Sequence, residues 1–205
     1  MNEDASHNWS RHGGDYIRSR LLAERIVMDY SRCGLPAVTM CVANTYGPGD
    51  WLPTPHGSLL AAAVHGELPC YVESAAEVVG IEDAAKALIL ASERGRVGHR
   101  YIVSESYTST RELVEVACGA VGVEPPRIGI PVSVAKTLSY GSEAVARLRG
   151  RDTRFRPIAI RLMHIMTPLD HSKATRELGW EPSPISEAVA RAAAFYLGER
   201  VTAAG

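Results

Sequence analysis

Tyr16 and Arg20 stand four residues apart in the run Tyr-Ile-Arg-Ser-Arg-Leu-Leu-Ala-Glu that ends at Glu24. On a helix, positions i and i+4 are neighbours on one face, so the guanidinium can lie near the phenol hydroxyl and favour its ionised form. Such help is needed, because a free tyrosine titrates at about 10. The spacing is therefore that of an acid-base catalyst. The same two side chains on an ordinary amphipathic helix simply stack and cover a surface. Which reading holds depends on the elements around them.

Those elements alternate in type. Tyr16, Leu21, Leu22, Ile26, Val27 and Tyr30 recur at helical spacing after Asp15, a candidate N-cap, and Gly34-Leu-Pro36 stops the helix. Ala37 to Ala43 is a continuous apolar run that suits a strand buried on both faces of a parallel sheet. Asn44 to Asp50 reads as a turn, because Gly-Pro-Gly continues neither element. A loop at the carboxyl end of a parallel strand is where α/β folds place ligand sites. Further helices are expected over 57–65, 82–92, 110–118, 132–148, 172–178 and 185–197, with strands at 70–72, 78–81 and 99–103. The best boundary lies near Tyr46, with a residual sheet element in residues 1–46 and a mixed α/β region with returning sheet elements in 47–205.

Composition excludes several classes. The 205 residues carry 22 Lys plus Arg against 23 Asp plus Glu, a formal charge of -1, which implies no general attraction to nucleic acid or anionic membrane. A small-molecule substrate is the expected partner. Cys33, Cys41, Cys70 and Cys118 are widely spaced with no Cys-x-x-Cys pair, as for buried thiols in a reducing compartment. No signal peptide is evident and no apolar run reaches the roughly 18 residues of a membrane span, so a cytoplasmic location is expected. The seven histidines, His164 and His171 among them, show no metal-ligand spacing, and no metal is expected.

Four segments, in order, resemble the extended short-chain dehydrogenase/reductase family of NAD-dependent epimerases, dehydratases and dihydroflavonol-reductase-like enzymes. The run from Tyr16 to Glu24 is similar to the family's Tyr-x-x-Ser-Lys-x-x-Ala-Glu, with arginine in place of lysine. Met40 to Pro48 resembles Arg-Pro-x-Asn-Val-Tyr-Gly-Pro, keeping Asn44, Tyr46, Gly47 and Pro48 but carrying Cys41 and Val42 for the arginine and proline. Val78 to Ala85 is similar to Phe-Val-His-Val-x-Asp-Val-Ala, with Asp83 kept and Gly80 at the histidine position. Asp170 to Pro182 matches Asp-x-Ser-Lys-Ala-x-Arg-Glu-Leu-Gly-Trp-x-Pro almost throughout, and its expected work is structural: Asp170 caps a short helix, Gly179 ends it, and Trp180 packs into the substrate domain.

The resemblance implies an NAD(P)-dependent oxidoreductase or sugar epimerase acting on a hydroxyl or carbonyl of a small molecule. It implies Tyr16 and Arg20 as the catalytic pair, Tyr16, Arg20, Val42 and Asn44 at an NAD or NADP cofactor, and Asn44 and Tyr46 at the substrate. It also admits a homodimer. Family members begin with a strand, a Gly-x-x-Gly-x-x-Gly turn and a helix. No such turn occurs here, and Gly13-Gly14 directly precedes Tyr16. The expectation is therefore the C-terminal part of a Rossmann-like α/β protein whose dinucleotide-binding half is missing, inactive alone. Ser6 and Ser10 are weak candidates for the family's catalytic hydroxyl. The rival reading is a non-catalytic remnant, or a substrate-binding or interaction module without cofactor. Six arginines from Arg147 to Arg161 fit a solvated loop, a clamp on a diphosphate, or, least well, a nucleic-acid patch.

Overall fold

The computed structural model describes residues 1–5, 14–137 and 167–198. It is an α/β structure, as the alternation of elements implies. Helix α1 (Gly14–Arg32) leads into β1 (Thr39–Val42) and β2 (Asn44–Tyr46). Helix α2 (Pro55–Val64), β3 (Cys70–Glu73), β4 (Ala75–Gly80), α3 (Ile81–Arg94), β5 (Arg100–Val103), β6 (Ser106–Ser109), α4 (Thr110–Val121) and β7 (Ile128–Pro131) follow. Residues 132–137 are helical, and α5 (Ser172–Leu178) and α6 (Ile185–Gly198) come after them. Ser6, Ser10, Gly13, His164, the arginines from 147 to 161 and the rest of the expected 132–148 helix lie outside the described residues.

Helix ends follow local chemistry. Thr54 accepts from the Gly57 amide at 3.1 Å with Pro55 in the first turn, and Ser109 accepts from the Glu112 amide at 3.1 Å. Helix α5 stops at Gly179, whose φ of 70° is a left-handed cap. Asp15 lies inside the first turn of α1 instead of capping it, and its carboxylate meets Arg18 at 3.4 Å.

Among the described residues the strands form three small sheets. Strand β5 returns to pair in parallel with β1, Thr39 opposite Arg100 and Val42 opposite Val103. Strand β4 lies between β2, parallel with Asn44 opposite Val78, and β6, antiparallel with Val78 opposite Ser106. Strand β3 pairs in parallel with β7. The expected turn at Asn44 is thus a short strand before the Gly47-Pro48 bend. Strand β1 is not buried on both faces: Thr39 to Cys41 are half-buried and Val42 is exposed.

Two apolar cores lie on opposite sides of β4. Val78 points into one with Tyr46, Leu60, Leu113, Cys118, Val189 and Tyr196, beneath α2, α4 and α6. Val79, one residue on and hence on the other face of the pleat, points into a second with Ala84, Tyr101, Val103, Leu178 and Trp180. Trp180 therefore packs against β5 and α3.

Candidate active site

Helix α1 presents Tyr16 to solvent at 57% exposure. The Arg20 guanidinium carbon stands 5.0 Å from the centre of the Tyr16 ring. The i, i+4 pairing is thus formed, but the cation lies over the ring face and not beside the hydroxyl as the spacing suggested. The negative face of the ring attracts it, an interaction worth about 0.5–1 kcal/mol at an exposed site. The Ser19 hydroxyl donates to the Tyr16 backbone carbonyl at 2.8 Å, a bond back along the helix.

The helix is tied to the sheet at its middle and end. Glu24, which closes the Tyr-to-Glu run, meets Arg100 of β5 at 3.1 Å. The Thr39 hydroxyl contacts the Met28 sulfur at 3.3 Å. Ile17, next to Tyr16, is the buried apolar anchor of the first turn. Burial, followed by the Glu24 carboxylate, pushes the Cys41 thiol up to about 11, so it is an inert thiol of the sheet.

Beyond β1 the chain crosses to the second sheet. The Asn44 amide donates to the Glu77 carbonyl at 3.1 Å, which directs its nitrogen toward β4. Tyr46 is 5% exposed and points into the α2/α4/α6 core, with its ring edge-on to His56 at 6.3 Å. Burial pushes the Tyr46 hydroxyl up to about 12 and pulls His56 below its ordinary value, so both groups favour their neutral forms. Gly47 is required by space: a Cβ there would lie 2.2 Å from a methyl of Ile81. Gly80 has a similar reason, since its Cβ would lie 3.1 Å from that of Ala188 and 3.3 Å from the Asp83 carboxylate. Thus the structure brings Tyr16 and Arg20 together, places Val42 exposed at the end of β1, and sets Asn44 and Tyr46 on β2 with partners inside the protein.

One buried group escaped the sequence reading. The Glu77 carboxylate, in the middle of β4, accepts from the Leu169 amide at 2.7 Å and from the Ser104 hydroxyl. It thereby joins β4, the end of β5 and the chain entering the Asp-x-Ser-Lys segment. A glutamate amid Ala, Val and Gly was the available signal.

The Asp170 to Pro182 segment is a clamp. Asp170 accepts from the Ser172 amide at 2.9 Å, and that bond holds its carboxyl below the usual range. The Lys173 ammonium donates to the Arg100 carbonyl at 2.9 Å and lies 4.9 Å from the Tyr101 ring centre. The Tyr101 hydroxyl donates to Glu177 at 2.9 Å, lowering the glutamate's titration. Trp180 donates its indole N–H to the Asp83 carbonyl at 2.9 Å, while the Asp83 carboxylate accepts from the Ser183 amide at 3.0 Å. The family-like Asp83 and Trp180 thus serve one junction. Among the described residues no three His, Cys, Asp or Glu side chains converge as metal donors, and no helix is long and apolar enough to cross a membrane.

Comparison with known proteins places this geometry. No family model matches the chain. It is 26% identical over 187 residues to a Synechocystis protein assigned as a dihydroflavonol 4-reductase, covering 89% of this chain and 54% of that one. It is 27% identical over 186 residues to sterol demethylase protein B of Methylococcus capsulatus, covering 90% and 57% respectively. The chain spans about half the length of the curated relatives it matches. Among solved structures, gox2253 superposes with a TM-score of 0.80 at 30% identity, over 97% of this chain and 60% of that one. A nucleoside-diphosphate-sugar epimerase from Pseudomonas aeruginosa gives 0.77 at 22% identity, over 96% and 60%. At 18% identity, a dTDP-glucose 4,6-dehydratase from Streptomyces venezuelae, solved with NAD bound, shares the fold with a TM-score of 0.67, over 98% and 55%. In sequence motifs, relatives and fold, the chain resembles the C-terminal part of proteins of the extended short-chain dehydrogenase/reductase family.

Proposed function

We propose that this chain carries the acid-base helix and the substrate-binding part of an NAD(P)-dependent oxidoreductase or sugar epimerase acting on a hydroxyl or carbonyl of a small molecule. The observation that carries the reading is the exposed Tyr16 with Arg20 over its ring on α1, in a chain whose relatives are named as reductases, dehydratases and epimerases. A phenol and a guanidinium offered together to solvent fit the hydroxyl-rich ribose of such a cofactor, and the exposed Val42 fits the apolar side of a nicotinamide ring. Tyr16 gives or takes the proton of the reacting substrate oxygen. Arg20 supplies the positive charge that steadies the phenolate, but its guanidinium stays charged and relays no proton. Asn44, its amide nitrogen held by β4, keeps its carbonyl oxygen for cofactor or substrate, and Tyr46 walls the substrate side. NAD(P), when bound, supplies the hydride transfer. In this reading residues 1–46 are the remnant of the Rossmann domain and residues 47–205 the substrate-binding region, with Asn44 and Tyr46 reaching the substrate from the edge of the first.

A second reading, a remnant without cofactor chemistry, is favoured by the position of Arg20 over the ring and by the internal engagement of Asn44 and Tyr46. The two are separated by joining to the chain the part of gox2253 that it does not cover and following NAD(P)H oxidation. Removal of a positioned proton-transfer group costs about 10²–10⁴-fold, so Tyr16→Phe should lose turnover on that scale. Arg20→Lys should retain or raise it. Equal rates for parent and Tyr16→Phe would end the Tyr16 assignment, and no nucleotide-induced rise in melting temperature would favour the remnant.

A further inference from the structure

The bend after β2 runs Gly47-Pro-Gly-Asp-Trp-Leu-Pro-Thr54, and two consecutive residues of the distant helix α6 hold it. The Tyr196 hydroxyl donates to the Asp50 carboxylate at 2.8 Å. The same carboxylate accepts from the Thr54 amide at 3.1 and 3.3 Å and from the Thr54 hydroxyl at 3.3 Å. Next to Tyr196, the Phe195 ring meets the Trp51 ring edge-on at 4.9 Å. The neighbour of Trp51, Leu52, is 79% exposed, and Trp51 itself remains 67% exposed.

The convergence is built in from a third side. A Cβ on Gly57 would lie 2.0 Å from the Asp50 carboxylate and 2.3 Å from the Tyr196 hydroxyl, so glycine alone leaves room for the bond. Tyr196 is itself buried, and burial, then the Asp50 bond, pushes its hydroxyl above the ordinary range, keeping it a donor. A donor buried among apolar side chains is costly to leave unpaired. The carboxylate is thus the single acceptor on which the bend, the start of α2 and the end of α6 meet.

We propose that Tyr196 and Phe195 are positioning residues that latch the 47–54 loop to α6, so that the placement of Trp51 and Leu52 is set by the last helix and not by the loop's own sequence. Its bearing on substrate selection rests on the reading of Asn44 and Tyr46 as the substrate side, since the loop continues directly from that strand. The latch itself does not depend on that reading.

The test uses the 205-residue chain in amide hydrogen exchange, with Trp51 emission taken as the difference between each protein and its Trp51→Phe counterpart. Tyr196→Phe keeps the ring and removes only the hydroxyl. It should speed exchange at residues 51–57 by tenfold or more, leave Leu113 to Cys118 within twofold, and red-shift Trp51 emission. In an Asp50→Ala background the same substitution should add nothing, because both act through one bond. Phe195→Leu should alter Trp51 emission with a smaller effect on the Thr54 amide. The latch is refuted if Tyr196→Phe leaves 51–57 within twofold of the parent, if exchange rises equally in α4, or if its effect persists undiminished beside Asp50→Ala. Because none of these readings needs turnover, a failed latch and a failed Tyr16 assignment are seen separately.

Discussion

Trp180→Ala should be among the most damaging single substitutions in this chain. The indole is fully buried among Val79, Ala84, Tyr101, Val103 and Leu178, and α5, α3 and β5 all meet on it. Truncating a buried aromatic to alanine costs about 3–5 kcal/mol, through lost transfer energy and the cavity left behind. Its N–H also satisfies the Asp83 carbonyl, and orphaning that acceptor adds about 1 kcal/mol. The sum, about 4–6 kcal/mol, lowers the melting temperature by roughly 10–20 °C in a chain of this size. Trp180→Phe keeps much of the ring and loses the hydrogen bond, so it should cost about 1–2 kcal/mol. Urea unfolding followed by far-ultraviolet circular dichroism, with the denaturant slope checked for change, measures both. If Trp180→Ala costs under about 1.5 kcal/mol at unchanged slope, or Trp180→Phe costs as much as alanine, the segment is not the clamp described.

Acidity and thiol chemistry give two independent checks. His56 titrates below its ordinary value in the folded protein, so the unfolded chain binds a proton first as pH falls. Its contribution to stability is complete above about 6.5 and is lost as pH falls through the folded value. Urea midpoints between about pH 7.5 and 5 should therefore fall less steeply for His56→Gln than for the parent, and identical slopes would exclude the effect. For the thiols, Cys33 is exposed, whereas Cys118 is buried and Cys41 is pushed up to about 11. Iodoacetamide at about pH 8 should alkylate Cys33 first and reach Cys41 and Cys118 only after denaturation, as peptide mass mapping would show. Prompt labelling of Cys41 in the native chain would contradict the packing of α1 on β1.

The helices were legible because their signals are local. Ser109, Pro55 and Gly179 mark ends by their own chemistry, and α5 spans Ser172–Leu178 as its sequence implies. The strands β6 and β7 were not. Ser106-Tyr-Thr-Ser is polar and becomes a strand by pairing antiparallel with β4, while Ile128-Gly-Ile-Pro contains two residues that disfavour strands and is held by β3. Asn44-Thr-Tyr is too short to be told from a turn without its partner Val78 to Gly80.

The sequence by itself carried the resemblance to the family, through the Tyr-to-Glu helix and the Asp-x-Ser-Lys segment, and it determined that Tyr16 and Arg20 share a helix face, because a 3.6-residue period is a local property. Tertiary structure decided what those groups meet. It buried Tyr46, turned Trp180 toward β5, and brought Leu169 to Glu77 and Tyr196 to Asp50 across 92 and 146 residues of chain. A carboxylate in a strand or a tyrosine in a final helix carries no mark of its partner. The partner is chosen by how the sheets and helices stack, and it is there that buried polar groups must find their hydrogen bonds.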